Sequence, residues 1–307
     1  MIENATPNHH ETELAHHVPT NPLSLYSGKA RTRMNCIVCN GTTATTFAEK
    51  FGMSYLKCDL CGFVYADTTT MDYETYNADN NELLFETHLK KHSTKRFQRA
   101  YAGMLNNFEP YRKLGTLLEI GCSTGAFLAK AQELGWSATG VEPVTSSAQH
   151  GIDEFGLDIR IGTLEEARLP ANSFDVAYSN AVLEHLPDPL AVMREAFRVL
   201  RPGGVLYADT VNVESYTWRN LGTDWKLVDP RMHLCLFTPS TLTSLCESAG
   251  FDQLKLSSHG VRFRPNHAPK LTGLRRLADE LRKAPYSFAA RRNLQGDSIA
   301  VLAHKPS

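Results

Sequence analysis

Residues 117–127, LLEIGCSTGAF, set an apolar strand-like run directly against a turn with glycines at Gly121 and Gly125, and that turn directly against a helix-forming stretch. A strand that ends in a glycine turn and restarts as a helix limits the chain to few architectures. Glycine lets a ligand approach the main chain, and the helix N-terminus behind it offers unpaired N–H groups and the positive end of a dipole.

The pattern continues downstream. LLEI (117–120) leads into a helix ending near Gly135, SATGVE (137–142) into a helix ending near Gly156, and LDIRIG (157–162) into a loop. FDVAYSN (174–180) precedes a helix over 188–200, and the breaker Pro202-Gly203-Gly204 introduces VLYADTVNV (205–213). Strand alternating with helix predicts an α/β fold, a doubly wound Rossmann-like parallel sheet with helices on both faces. In such sheets ligands bind beyond the carboxyl ends of the strands, where Glu142 ends the second strand and can accept hydrogen bonds from a ribose diol. The turn does not read G-x-G-x-x-G, which argues against a nicotinamide or flavin.

Upstream, Cys36 and Cys39 form one close pair and Cys58 and Cys61 repeat its spacing, four of the seven cysteines in the chain. Two such pairs enclosing residues 40–57 fit a zinc ribbon, in which four thiolates close around a structural Zn2+ and leave no position open for catalysis. The expected organisation is a disordered leader over 1–33, the ribbon over 34–67, a helical connector over 68–113 carrying Tyr73, Tyr76, Leu83, Leu84, Phe85, Phe97, Tyr101, Leu105 and Phe108, and a catalytic domain over 114–307. His9, His10, His16 and His17 in the leader read as a solvated tail, since a flexible segment offers no fixed ligand geometry. The opening MIENATPNHHETELAHH has no basic then apolar signal pattern, and no apolar run reaches membrane-spanning length, so the expectation is a cytoplasmic protein. Lys plus Arg (32) against Asp plus Glu (33) gives a net charge of -1, without the global positive field of a nucleic-acid binder.

LEIGCSTGAFL, GVEP, NSFDVAYSNAVLEHLPDP and LRPGG, in this order, resemble the successive motifs of class I S-adenosylmethionine-dependent methyltransferases across residues 114–258, and GDSIAVLAHK (296–305) resembles the last strand of that fold. The resemblance implies S-adenosyl-L-methionine as cofactor. It implies that Glu119, Gly121, Cys122, Ser123 and Gly125 surround the methionine end, that Glu142 holds the ribose, that Pro143, Thr163 and Leu164 flank the adenine, and that Asn180 lies near the sulfonium. Ser123 stands where the family commonly has a third glycine, and Thr163 where relatives often have an acid. Cys122 is read as a small residue and not as a nucleophile, because methyl transfer from a sulfonium is a direct displacement.

His233, in DPRMHLCLF, resembles the histidine found after the fifth-strand loop of many small-molecule methyltransferases, and near its unperturbed pKa it would serve as general base. His185, in VLEHLP, is the second candidate. Residues 212–238 carry Trp218, Trp225 and Phe237 and are expected over the cofactor end of the sheet. The insertion 259–292 holds nine Lys or Arg against Asp279 and Glu280, with Leu271, Leu274, Leu277, Ala278 and Leu281 at helical spacing between Pro269 and Pro285. It reads as a basic amphipathic helix, either a cap packed on the sheet or, through 269–284, a contact with an anionic substrate or a peripheral membrane face.

A ribbon fused to this core resembles bacterial methyltransferases of sugars and surface-polysaccharide precursors. O-methylation of a small-molecule acceptor, a sugar, a nucleotide- or lipid-linked sugar or a related metabolite, is the first reading. An rRNA methyltransferase with a ribbon for RNA is second, although residues 36–67 offer only Lys50 and Lys57 against Glu49, Asp59 and Asp67. A non-catalytic regulatory protein that binds the cofactor is third.

Overall fold

The computed structural model describes residues 35–68, 89, 92, 94–265, 268–269 and 271–307. The expected leader, and Tyr73, Tyr76, Leu83, Leu84 and Phe85 of the connector, lie outside the described residues.

Three strands, β1 (Ala44–Lys50), β2 (Met53–Cys58) and β3 (Val64–Ala66), form the N-terminal unit. Helix α1 (Lys95–Phe108) follows and buries Leu105 and Phe108. The alternation then unfolds as β4 (Thr116–Ile120), α2 (Ala126–Glu133), β5 (Ser137–Glu142), α3 (Thr145–Phe155), β6 (Asp158–Ile161), β7 (Phe174–Asn180), α4 (Pro189–Val199) and β8 (Leu200–Val211). After it come α5 (Tyr216–Leu221), β9 (Cys235–Leu236), α6 (Pro239–Ala249), β10 (Asp252–His259), α7 (Gly273–Asn293) and β11 (Ser298–His304). β8 begins five residues earlier than the breaker suggests: Leu200 already pairs with Phe174, and the Pro-Gly-Gly step is absorbed where the register shifts before Val176.

Seven strands form one sheet in the order β10-β11-β8-β7-β4-β5-β6. β4 to β8 run parallel, and β11 inserts antiparallel between β8 and β10. The chain winds outward from β4 through β5 to β6, then returns to β7 on the other side of β4. The carboxyl ends of β4 and β7 therefore flank the point where the winding reverses, the place where sheets of this kind form their ligand crevice. Helices cover both faces, which is why β7 is buried along six of its seven residues. One face packs α1, α2 and α3 through Leu105, Phe108, Phe127, Leu128 and Ala148; the other packs α4 and α6 through Val192, Met193, Ala196, Leu242 and Leu245.

The N-terminal unit is not a separate bead. Its sheet runs β1-β2-β3-β9, so its fourth strand comes from the segment after β8. Tyr55 donates its hydroxyl to the His233 carbonyl at 2.6 Å, Lys50 donates to the Trp225 carbonyl at 3.2 Å, and Phe47 stacks on Trp218 at 5.0 Å. Residues 212–238 thus act as the platform on which the cysteine-bearing strands sit, with Trp225 fully buried.

α7 departs from the sequence expectation at both ends. It starts at Gly273 rather than near Pro269, and it continues through Pro285 to Asn293. Proline removes one helical bond, but on an exposed helix water solvates the freed carbonyl, and packing further along offsets the loss. That packing is visible: Tyr286 meets Tyr216 and Phe263, and the Ser258 hydroxyl donates to the Ala290 carbonyl at 2.8 Å. The reading of α7 as a cap that packs its leucines on the sheet is corrected, because Leu274, Leu277 and Leu281 are 83%, 56% and 66% exposed.

At the opposite end of the sheet from the crevice, Asp175 ties three segments. One carboxylate oxygen accepts the N–H groups of Lys113, Leu114, Gly115 and Thr116, and the other accepts Arg201 Nε. Arg201 continues to the Tyr111 carbonyl at 2.6 Å. Burial pushes the Asp175 pKa up, but Arg201 and the N–H donors outweigh it and the net direction is down. Its stabilisation is therefore complete above the ordinary carboxylate range and is lost as pH falls through the depressed value. Asp175→Ala strands Arg201 and four donors and is expected to cost about 3–5 kcal/mol in urea unfolding at neutral pH. A loss below about 1 kcal/mol, the ordinary effect of a substitution, would contradict this role.

Candidate active site

The turn after β4 holds Gly121, Ser123 and Gly125 at φ of +71°, +50° and +77°, all in the left-handed region. A Cβ on Gly121 would lie 2.5 Å from Val182 Cγ2, and one on Gly125 would lie 2.4 Å from Leu157 Cδ1. Both glycines are thus required by the chain's own packing as well as by any ligand. Ser123 has no such freedom, and its backbone costs roughly 1–3 kcal/mol. The compensation is visible: its N–H donates to Glu142 Oε2 at 2.8 Å.

Glu142, at the end of β5, also accepts the Val144 N–H on Oε1 at 2.9 Å. Burial raises its pKa and these two donors pull it down, with the net direction up. Each oxygen keeps a free lone pair, so the carboxylate has capacity for two further donors such as a diol. Two positions before Gly121, Glu119 is buried and its Oε2 has no hydrogen-bond partner. Burial first, and then the charge of Glu142, raise its pKa well above the ordinary value. An orphaned buried carboxylate oxygen beside a glycine turn suits a cationic ligand, and the charged methionine end of S-adenosylmethionine is one.

The other sequence-predicted positions stand at the carboxyl ends of β4 to β7. Cys122 is buried, and its Sγ sits 2.6 Å from where a Gly140 Cβ would stand. Burial, then Glu119 and Glu142, push its thiol pKa up, so it stays protonated. Pro143 follows β5, and Thr163 and Leu164 follow β6, both of them buried. The Thr163 N–H donates to Glu166 Oε2 at 2.8 Å and its hydroxyl accepts the Glu166 N–H at 3.2 Å, leaving the side chain already engaged. Asn180 ends β7 and is exposed.

His185 and His233 come together, but not as sequence predicts. Their rings meet edge to face at 4.7 Å. Each donates through Nδ1 to a carbonyl, His185 to Met232 at 2.8 Å and His233 to Leu227 at 2.6 Å. Glu184 lies within 4.8 Å of both and accepts the Thr210 hydroxyl at 2.7 Å. The expectation that His233 titrates near its unperturbed value is corrected: burial, then the His185 charge, lower its pKa to about 3. A nitrogen that weakly basic, tied within the 212–238 segment to the Leu227 carbonyl, suits an anchor better than a base at neutral pH.

A residue the motif reading passed over stands out in the structure. Buried polar atoms without hydrogen-bond partners include Glu119 Oε2, Ser179 Oγ and Asp209 Oδ2, one each on the neighbouring strands β4, β7 and β8. The available signal for Asp209 was a lone acid inside the apolar run VLYADTV. In the N-terminal unit, the sulfurs of Cys36, Cys39, Cys58 and Cys61 all lie within 4.8 Å of one another, with Cys36 to Cys61 and Cys39 to Cys58 both 3.6 Å. A disulfide would require about 2 Å, whereas sulfurs about 2.3 Å from a shared zinc in a tetrahedron stand about 3.8 Å apart.

The buried histidine makes a checkable statement about stability. His233 takes up its proton near 6.5 when unfolded and near 3 when folded, so the unfolded chain binds more protons between these values. Stability from this group is therefore lost as pH falls from about 6.5 towards about 3, at up to about 1.4 kcal/mol per pH unit. His233→Gln is expected to flatten that slope in urea unfolding between pH 7 and 5. Parallel slopes for the two proteins would contradict the burial of a neutral imidazole.

Residues 78–256 match a family described as Methyltransferase domain. The chain is 30% identical over 166 residues to the Ubiquinone biosynthesis O-methyltransferase of Haemophilus ducreyi, covering 48% of this chain and 69% of that protein. Among solved structures, an S-adenosylmethionine-dependent methyltransferase from Thermotoga maritima superposes with a TM-score of 0.51 at 23% identity, covering 74% of this chain and 97% of the other. Another, from Archaeoglobus fulgidus, gives 0.50 at 20% identity over 73% of this chain and all of its own, and both likenesses speak to the fold alone. With the family match spanning more than half of its length, the chain belongs to the methyltransferase-domain family and is an S-adenosylmethionine-dependent methyltransferase of the Rossmann-like class I fold.

Proposed function

We propose that this methyltransferase transfers the methyl group to a hydroxyl of a small-molecule acceptor, a sugar or related metabolite. The observation that carries the cofactor half of the reading is the pairing of Glu119, with a free buried oxygen, and Glu142, with spare lone pairs, on either side of the Gly121 turn. In this reading Glu119, Gly121, Cys122, Ser123 and Gly125 receive the methionine end, Glu142 the ribose hydroxyls, and Pro143, Leu164 and Thr163 the adenine. Asn180 lies at the side from which the acceptor enters. Bound S-adenosylmethionine supplies an electrophilic methyl on a positively charged sulfur; the protein's part is to align the acceptor and manage its proton.

An oxygen acceptor is supported by the similarity to the Haemophilus ducreyi protein, an O-methyltransferase. The RNA reading is weakened by the few basic groups on the cysteine-bearing unit: Lys50 is occupied by the Trp225 carbonyl, which leaves Lys57 against a surplus of acids. Cys36, Cys39, Cys58 and Cys61 would hold a structural zinc, and the 3.6 Å sulfur spacings support this ligand set.

Calorimetry is expected to detect S-adenosylmethionine binding, and methyl-labelled cofactor incubated with a small-molecule extract is expected to label a product at oxygen. Binding with label found only in RNA would favour the RNA reading, and binding with no label in either pool the regulatory one. Metal analysis of purified protein is expected to return about one zinc per chain, with chelation lowering the unfolding temperature. A stoichiometry near zero would remove the metal from the account.

A further inference from the structure

β8 is an apolar strand, with Val205, Leu206, Ala208 and Val211 all buried, and yet it carries Asp209, only 6% exposed. Its Oδ2 has no hydrogen-bond partner, and His259 Nδ1 stands 3.8 Å from it, beyond hydrogen-bond reach. Burying a carboxylate oxygen without a donor is costly, and the register partner on β11, Ala300, offers it none.

Its position suggests the use. Glu119, Tyr178 and Tyr207 are register partners across β4, β7 and β8, so they share one face of the sheet. Asp209 lies two residues beyond Tyr207 and shares that face, opposite Asn180 at the mouth of β7. The same face therefore carries two buried carboxylates with free oxygens. Glu119 lies beside the glycine turn, and Asp209 lies one strand beyond β7, towards the carboxyl end. If the methionine end faces Glu119, the acceptor side falls at Asp209.

We propose that Asp209 is the catalytic base, its Oδ2 taking the proton of the acceptor hydroxyl during methyl transfer. This rests on the O-methylation reading above. The acceptor O–H bond breaks and its proton goes to Oδ2; an oxygen electron pair forms the new bond to the methyl carbon. The sulfur–methyl bond breaks with its pair remaining on sulfur, which ends uncharged. Asp209 then returns its proton to solvent, which completes the cycle.

The surroundings place the carboxyl in a useful range. Burial, then the Glu184 charge beyond β7, raise its pKa and the Ser298 hydroxyl on β11 lowers it, leaving it raised to about 8. Tyr178 on β7 and Tyr207 on β8 also feel the Asp209 charge, and burial raises both so that they stay neutral. On β10, His259 is lowered by burial, while Asp297, itself paired with Arg262 at 3.0 Å, acts on it in the opposite sense. Below about 8 Asp209 is protonated and cannot accept; above it, the ionised carboxylate is available. His233, lowered to about 3, offers no comparable base.

The test compares wild type, Asp209→Asn and Ser298→Ala by the rate of label incorporation from methyl-labelled S-adenosylmethionine into the small-molecule extract across pH. Calorimetric affinity for S-adenosylmethionine is measured alongside. Wild type is expected to rise with pH and level off above about 8. Asp209→Asn is expected to bind the cofactor within about twofold, to lose roughly a hundredfold or more in rate, and to lose the pH limb. Ser298→Ala, which removes the lowering hydrogen bond, is expected to move the limb to higher pH, and it carries the test if Asp209→Asn does not fold. Carbon-13 titration of Asp209 in the protein alone adds a readout independent of the acceptor. Equal rates and limbs in wild type and Asp209→Asn, an unmoved limb in Ser298→Ala, or titration of Asp209 in the ordinary carboxylate range would overturn the proposal. A wild type that binds cofactor but labels nothing would count against the O-methylation reading, and the titration would then decide on Asp209.

Discussion

The carboxylate of Glu142 is the constraint around which the crevice is built. It holds the Ser123 N–H on one oxygen and the Val144 N–H on the other. The first bond keeps a non-glycine residue in left-handed backbone; the second sets the start of α3. Together they tie the end of β5 to the turn after β4. Gly121 and Gly125 make the same turn possible from the packing side, since a side chain at either would collide with Val182 or Leu157. A polar group that both shapes a turn and keeps spare lone pairs can serve structure and ligand at once.

The sheet separates support from reactivity along its length. At one end Asp175 is satisfied five times over by Arg201 and four backbone donors, which holds its pKa down and makes it a structural knot. At the other, Glu119 and Asp209 are buried with free oxygens and raised pKa values. The residue type is the same or nearly so, and the number of donors decides the role. The histidines follow the same logic in reverse: carbonyl acceptors fix both rings, and burial removes the basicity that proximity to the site had suggested for His233.

Much of this was legible in the residues. SATGVE and FDVAYSN match β5 and β7 residue for residue, because turn and breaker signals bound both segments in the sequence. The glycine turn and Glu142 were legible because their spacing is local. What escaped was non-local or environmental. The pairing of β3 with β9 joins residues far apart in sequence, through a strand of only two residues. Pro285 reads as a stop, and only the tertiary contacts of Tyr286 and Ala290 show why α7 runs on. The leucines of α7 have helical spacing, but spacing does not say whether a partner covers them, and Leu274, Leu277 and Leu281 face solvent. Motif reading chose His233 by residue type, whereas its basicity depends on burial, and it passed over Asp209, whose importance lies in one buried oxygen having no donor.

All of this depends on an adenosyl cofactor binding beyond the carboxyl ends of the central strands, over the 121–125 turn and Glu142. A crystal structure with S-adenosylhomocysteine addresses it most directly. The account predicts the ribose hydroxyls on the Glu142 carboxylate and the amino-acid end against the 121–125 turn, with the Glu119 oxygen no longer without a partner. Density for the ligand elsewhere on the protein, with Glu142 and the 121–125 turn making no contact to it, would contradict it.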